Sequence, residues 1–140
     1  MQTERKEGNM TEPSDRLATG RAIRTEVLGA EYVEQSLARA TDFTRPLQEL
    51  VTEYCWGEIW ARPGLDRRTR SLLNIGMLAA LGHQSEVTIH AGGALRNGAT
   101  VEEIQEVLLQ VAIYCGVPAA LNATRSAQVG IDAVTGSTPS

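Results

Sequence analysis

Helix start and stop signals recur along this chain from Asp66 to Gly116, and they restrict it to a bundle of helices. Thr100 and Glu103 have the spacing of a capping box, in which each side chain bonds a backbone N–H at the start of a helix. Gly98 and Gly116 stand where helices end. Between these signals apolar residues recur every three or four positions, and no alternating strand pattern interrupts them. The sequence therefore predicts an all-α fold.

The 140 residues are enough for one domain that buries a core without disulfides or metals. We predict a compact domain of six to seven helices over residues 14–134, with flexible tails at 1–13 and 135–140. The predicted helices run from a cap at Ser14 or Asp15 to Gly29, over about 31–40, from Thr44 or Pro46 to before Pro63, from the Asp66 cap to Gly82, from a Ser85 cap to about Asn97, over 100–116, and from Pro118 onward.

Two predicted helices, over residues 71–82 and 104–117, carry apolar residues on most of their faces. Such helices are usually buried all round. One small domain cannot cover both of them, so we expect subunit contacts and a homo-oligomer.

Charge and composition narrow the classes of partner. The formal net charge is -4 and the basic residues are scattered, which argues against nucleic acid. There is neither an apolar run long enough to span a membrane nor a signal-peptide pattern. The two cysteines, Cys55 and Cys115, form no CxxC pair, so a cytoplasmic protein with free thiols is expected.

The only two histidines, His83 and His90, flank Glu86 in an apolar part of the chain. If Ser85 caps a helix, Glu86 and His90 stand four residues apart and share one face. A carboxylate beside an imidazole raises its pKa or orients its proton, which suits proton transfer near neutral pH. The structural alternative is that Glu86 only favours the helix N-terminus while His90 packs against a neighbour. These three side chains do not have a recognised zinc spacing, so no metal is expected.

The chain resembles the carboxymuconolactone decarboxylase family, which includes the alkylhydroperoxidase D proteins. The resemblance covers almost everything between Gly20 and Gln128. It is carried by the segments Val27-Leu28-Gly29, Trp56-Gly57-Glu58-Ile59-Trp60, Arg62-Pro63-Gly64-Leu65, Thr69-Arg70-Ser71-Leu72, Glu86 with His90, Asn97-Gly98, Glu103-Ile104-Gln105-Glu106-Val107 and Tyr114-Cys115-Gly116-Val117-Pro118-Ala119-Ala120.

The resemblance implies an alkylhydroperoxidase D-like helical fold that assembles as a trimer or hexamer. It also implies a reaction without a cofactor: loss of carbon dioxide from 4-carboxymuconolactone, a carboxylated γ-lactone, to give the β-ketoadipate enol-lactone in protocatechuate catabolism. The peroxidase branch uses a CxxC followed by a histidine, and here that frame contains His83, Glu86 and His90. Because both thiols are absent, thiol peroxidase chemistry is not expected.

In such a reaction His90 is expected to donate a proton or to stabilise the developing oxyanion, and Glu86 to set its tautomer and pKa. His83 either lines the pocket or is an exposed loop residue. Arg70 either binds a substrate carboxylate or pairs with Glu58 or another acid.

Trp56 and Trp60 lie four residues apart and either form the wall of a small pocket or pack in the core or an interface. The family often carries an arginine two positions after the motif histidine, where this chain has Gly92. We expect Gly92 to open room in the pocket and to change the substrate. The alternatives are therefore an acid–base isomerase or cyclase of the same fold, acting on another lactone or natural-product metabolite, or a non-catalytic oligomeric binding protein.

Overall fold

A computed structural model describes residues 13–137, and within that range it contains seven α-helices, one π-helix and no strand. This confirms the all-α prediction. The elements in chain order are α1 (Pro13–Leu28), α2 (Ala30–Ala38), α3 (Arg45–Leu50), a π-helix (Val51–Ile59), α4 (Arg67–Leu81), α5 (Gln84–Arg96), α6 (Val101–Cys115) and α7 (Val117–Thr135).

The helix caps with a complete local signal form as predicted. The Asp66 carboxylate accepts a hydrogen bond from the backbone N–H of Thr69 at 2.7 Å, which starts α4. Both bonds of the capping box between Thr100 and Glu103 are present at the start of α6, each at 3.1 Å. Because both motifs satisfy N–H groups that the helix leaves free, they need no tertiary contact to act.

Two predicted helix starts are wrong. Helix α5 begins at Gln84, because the carbonyl of His83 accepts from the N–H of Val87 at 3.0 Å; Ser85 therefore lies inside the first turn. Helix α1 begins at Pro13, before the predicted caps, since proline is well suited to the first helical turn. The tail predicted at 1–13 otherwise lies outside the described residues, and α7 continues to Thr135.

The third predicted helix changes its hydrogen-bond pattern after Leu50. From Val51 to Ile59 it is a π-helix, and the N–H of Trp60 bonds to the carbonyl of Cys55, five residues back, at 3.0 Å. Apolar spacing does not distinguish this helix type from an α-helix over one or two turns. Such segments occur often at functional sites.

Buried side chains form two clusters, and α5 lies between them. The larger cluster joins α4, α5, α6 and α7 and includes Ile75, Val87 and Ile104. The smaller one joins α1, α2 and the π-helix and includes Val27 and both tryptophans, with Ile89 of α5 packed against it. His90 lies between Ile89 and Ala91, which belongs to the larger cluster, and its ring faces the tryptophans of the smaller one, so it lies where the two clusters meet.

Large apolar side chains remain exposed along α4 and α6. Met77 is 54% exposed, Leu109 56% and Ile113 82%. Between α6 and α7 lies an apolar cavity of about 360 Å³ whose lining contains neither histidine. None of the helices described is long and apolar enough to cross a membrane.

Candidate active site

His90 lies beneath the tryptophan pair. Its side chain is buried, with 9% exposure, and its ring is close to parallel with Trp56 and Trp60, at centroid distances of 6.2 and 6.4 Å. The two indoles stack on each other at 4.7 Å. Both tryptophans are buried in the smaller core cluster, which is the packing role predicted for them, and within it they face the imidazole.

Burial keeps His90 neutral. It lowers the pKa of the imidazole to about 4, because a charged ring loses its hydration there. Neither ring nitrogen hydrogen-bonds to any residue of the 13–137 range, and Nδ1 is fully buried. The direction of this pKa shift is opposite to the one predicted from Glu86, because desolvation by burial is its cause and the exposed carboxylate does not contribute to it.

Glu86 is exposed in the first turn of α5 and forms no hydrogen bond or ion pair with the described residues. Its charge acts on Arg24 of α1: burial lowers the pKa of that guanidinium, while Glu86 is among the groups that raise it. His83 is also exposed and caps α5 only through its backbone. The three motif residues therefore do not form one buried cluster.

Sequence reasoning missed Arg24. This arginine is 5% exposed, and its Nη1 donates to Gln48 Oε1 at 3.0 Å and to Thr52 Oγ1 at 3.1 Å. The signal was present in the sequence, since Arg24 lies within the apolar stripe of α1 that contains Ile23 and Val27. A charged residue at such a position is rarely buried without a partner.

Arg70 is half-buried at the start of α4, and its Nη2 donates to the carbonyl of Arg62 at 3.2 Å. Its Nε is buried without a hydrogen-bond partner among the described residues. The predicted pairing with Glu58 does not occur, because Glu58 lies 3.9 Å from Arg16 instead. The structure does not bring Arg70 into hydrogen-bond contact with the other predicted site residues.

Gly92 does not open room in a pocket, and that expectation is wrong. A Cβ atom at this position would lie 3.1 Å from Val134 Cγ2 and 3.4 Å from the carbonyl oxygen of Gly130, both on α7. The glycine therefore allows α5 and α7 to approach closely.

The thiols of Cys55 and Cys115 are free and exposed. Across residues 13–137 no three His, Cys, Asp or Glu side chains are grouped so as to hold a metal ion.

Comparison with known proteins identifies relatives. The sequence profile of the Carboxymuconolactone decarboxylase family matches residues 45–128. A nitrosuccinic acid decarboxylase of Metarhizium robertsii is 50% identical over 104 residues, which cover 74% of this chain and 73% of that protein. A 4-carboxymuconolactone decarboxylase of Acinetobacter baylyi is 41% identical over 113 residues, 81% of this chain and 84% of that protein.

Proposed function

Because this chain belongs to the carboxymuconolactone decarboxylase family and is a carboxy-lyase, we propose that it decarboxylates 4-carboxymuconolactone to the β-ketoadipate enol-lactone in protocatechuate catabolism. The reaction needs no cofactor. The observation that carries the proposal is the neutral, buried His90, which has a free Nδ1 and lies against the tryptophan pair.

The substrate itself accepts the electrons of the broken bond. When the carbon–carbon bond to the departing carboxylate breaks, carbon dioxide leaves and the electron pair moves through the ring double bond onto the lactone carbonyl oxygen. A proton then adds to carbon and restores the neutral lactone. The protein has to hold the substrate, stabilise the oxyanion and supply that proton.

His90 serves as the oxyanion donor. A neutral imidazole carries one N–H, and beneath the indoles a hydrogen bond to a developing oxyanion is worth more than in water. A pKa of about 4 makes the imidazolium scarce at neutral pH, which favours this role over that of general acid. Glu86 stands one turn earlier on α5, at the solvent edge, and passes a proton from water to the carbon of the dienolate.

A second candidate substrate is nitrosuccinic acid, favoured by the 50% identity with the Metarhizium robertsii decarboxylase. A nitro group accepts an electron pair as a lactone carbonyl does, so the same oxyanion donor serves both reactions. Both compounds carry two carboxyl groups, of which one leaves.

The homo-oligomer, a trimer or hexamer, remains part of this proposal, supported by the exposed apolar residues of α4 and α6. A cytoplasmic location is supported by the two free thiols, since reducing compartments keep cysteines in that form.

The test is release of carbon dioxide from each of the two compounds by the purified protein. We expect release from at least one of them, and a decrease in kcat of about 10²–10³-fold in His90→Gln, as for removal of one oxyanion donor. Glu86→Gln is expected to slow the protonation of the product carbon more than it slows the release of carbon dioxide.

The control is Glu102→Gln, an exposed carboxylate on α6 that should leave kcat unchanged. A folded protein that releases no carbon dioxide from either compound contradicts the proposal. Conversion of the lactone without gas release would instead support an isomerase, and His90→Gln with full activity would remove His90 from the mechanism.

A further inference from the structure

We propose that Arg24 binds the carboxylate that the substrate keeps, and that the enzyme therefore selects dicarboxylates. This inference rests on the proposed decarboxylation and adds to it the residue that positions the substrate. Three independent features of Arg24 carry it: its lack of an ion-pair partner, the free edge of its guanidinium, and its place beside the His90 face of α5.

The arginines that form ion pairs in residues 13–137 are all much more exposed than Arg24, which forms none. The side chains of Arg16, Arg45, Arg67 and Arg68 are 25–52% exposed, and each lies against an aspartate or glutamate. Arg24 is 5% exposed, and no carboxylate of the described residues lies within 4.0 Å of its guanidinium nitrogens. Buried charges in proteins are normally paired with an opposite charge, and this guanidinium has hydrogen bonds but no anion.

The free edge of Arg24 matches a carboxylate. Nη1 donates hydrogen bonds to Gln48 and Thr52. Within residues 13–137, Nε is buried without a partner and Nη2 makes no hydrogen bond. The Nε–H and Nη2–H groups point the same way and form two parallel hydrogen bonds with the two oxygens of one carboxylate. Gln48 and Thr52 hold the side chain, so little rotamer freedom is lost when an anion binds.

The surroundings place Arg24 next to the proposed reaction site. The groups whose charge raises the pKa of Arg24, against the dominant lowering by burial, are Tyr32, Cys55 and Glu86, and all three are exposed. Geometry places it there as well: Arg24 bonds to Thr52, one turn before Trp56, and Val27 on the same stripe of α1 packs in the cluster that contains both tryptophans. Glu86 shares a helix face with His90, one turn further along α5.

The retained carboxylate is the group that Arg24 has to hold. An arginine on the departing carboxylate would stabilise a negative charge that disappears as carbon dioxide forms, and this would favour the substrate over the transition state. The second carboxylate keeps its charge throughout, so binding it lowers KM and fixes the position of the reacting carbon. Both candidate substrates contain such a second carboxylate.

The test uses succinate, a dicarboxylate that has no electron acceptor and cannot react, measured by calorimetric titration against Arg24→Gln and Arg24→Lys. We expect wild type to bind succinate at millimolar concentration, Arg24→Gln to bind it at least tenfold more weakly, and Arg24→Lys to fall between. With a reactive substrate, the KM of Arg24→Gln should be about tenfold higher than that of wild type, while its kcat should change only a few-fold.

The matched control is Arg21→Gln, which removes an exposed arginine one turn earlier on the same helix and should bind succinate as wild type does. The near-ultraviolet circular dichroism of Trp56 and Trp60 shows whether a variant keeps the site intact. If Arg24→Gln changes that spectrum, the succinate affinity of Arg24→Lys, which keeps the charge, tests the inference instead.

Unchanged succinate affinity in an intact Arg24 variant, or no succinate binding by wild type, overturns the inference. Succinate binding does not depend on catalysis. A protein that binds succinate through Arg24 but releases no carbon dioxide would refute the proposed reaction and leave the carboxylate site standing. A protein that releases carbon dioxide, but whose Arg24 variants bind succinate as wild type does, would support the proposed reaction and refute the carboxylate site.

Discussion

At the scale of single residues, burial decides what each charged group can do. His90 and Glu86 are four residues apart on one helix, yet one is buried against indoles and the other is in water. The imidazole therefore responds to desolvation and not to the nearby carboxylate. Burial also acts on Arg24, but a guanidinium keeps its charge. In our proposal it is therefore stabilised by a bound anion and not by loss of a proton.

The low pKa of His90 predicts a dependence of stability on pH. The folded protein keeps the ring neutral down to about pH 4, whereas the unfolded chain takes up a proton near pH 6.5. The unfolded state therefore binds more protons between these values, and stability falls as pH decreases from 6.5 towards 4, by up to roughly 3 kcal/mol.

Urea unfolding of wild type and His90→Gln between pH 7 and pH 4.5 checks this. The carboxylates titrate alike in both proteins, so the difference between the two free energies of unfolding isolates the histidine. Wild type should lose more stability than the variant as the pH falls. Parallel curves would show that His90 is not held neutral by the fold.

At the scale of elements, two glycines let α1 and the π-helix touch backbone to backbone. A Cβ atom on Gly20 would lie 1.8 Å from the carbonyl oxygen of Thr52, and one on Gly57 would lie 2.2 Å from that of Arg16. This contact brings Thr52 against Arg24, one turn after Gly20, and aligns Trp56 in the cluster below. The close approach thus supports both the proposed anion site and the tryptophan pair.

Gly20→Ala should therefore destabilise the protein by about 2 kcal/mol or more. Overpacking between two backbones costs more than the roughly 1 kcal/mol that alanine gains over glycine inside a helix. Thermal unfolding measures the change, and the succinate affinity of the variant should fall as Thr52 moves away from Arg24. Gly64→Ala is the control, since a Cβ there meets no atom within 4 Å; equal stability of the two variants would contradict the contact.

Sequence reasoning succeeded for elements whose signal is local and failed where a neighbour decides. The Asp66 cap and the Thr100–Glu103 box each satisfy N–H groups within one turn, so they could be predicted from spacing alone. Ser85 has the residue type of a cap, but the chain leaves Gly82 in a left-handed conformation and the helix already starts at Gln84. The π-helix carries no distinct apolar pattern, because its hydrogen-bond register is not visible in side-chain spacing.

At the scale of the whole molecule, the exposed apolar surface predicts association. Leu109 and Ile113 on α6 are 56% and 82% exposed, and Met77 on α4 is 54% exposed. Leu109 and Ile113 are four residues apart and share one face of α6, and exposed apolar patches of this kind mark interaction surfaces. We expect sedimentation equilibrium to give a trimer or hexamer.

Ile113→Asp should weaken that assembly, because a carboxylate in an apolar contact has no partner. Sedimentation of the variant should show smaller species at the same protein concentration, while Glu34→Gln, which changes an exposed carboxylate on α2, should sediment as wild type does. A monomeric wild type, or an Ile113→Asp protein with unchanged mass, would contradict an interface on this helix.

The amino-acid sequence by itself determined the helical class, the capped starts of α4 and α6 and the position of the histidine motif, because each depends on residues within a turn or two of one another. Only the tertiary structure decided how these residues work. It placed His90 between two core clusters, where desolvation keeps it neutral, and it left Glu86 in water. It packed Gly92 against α7 and buried Arg24 without a carboxylate. Burial is a property of what packs over a residue, and that depends on chain segments far away in the sequence.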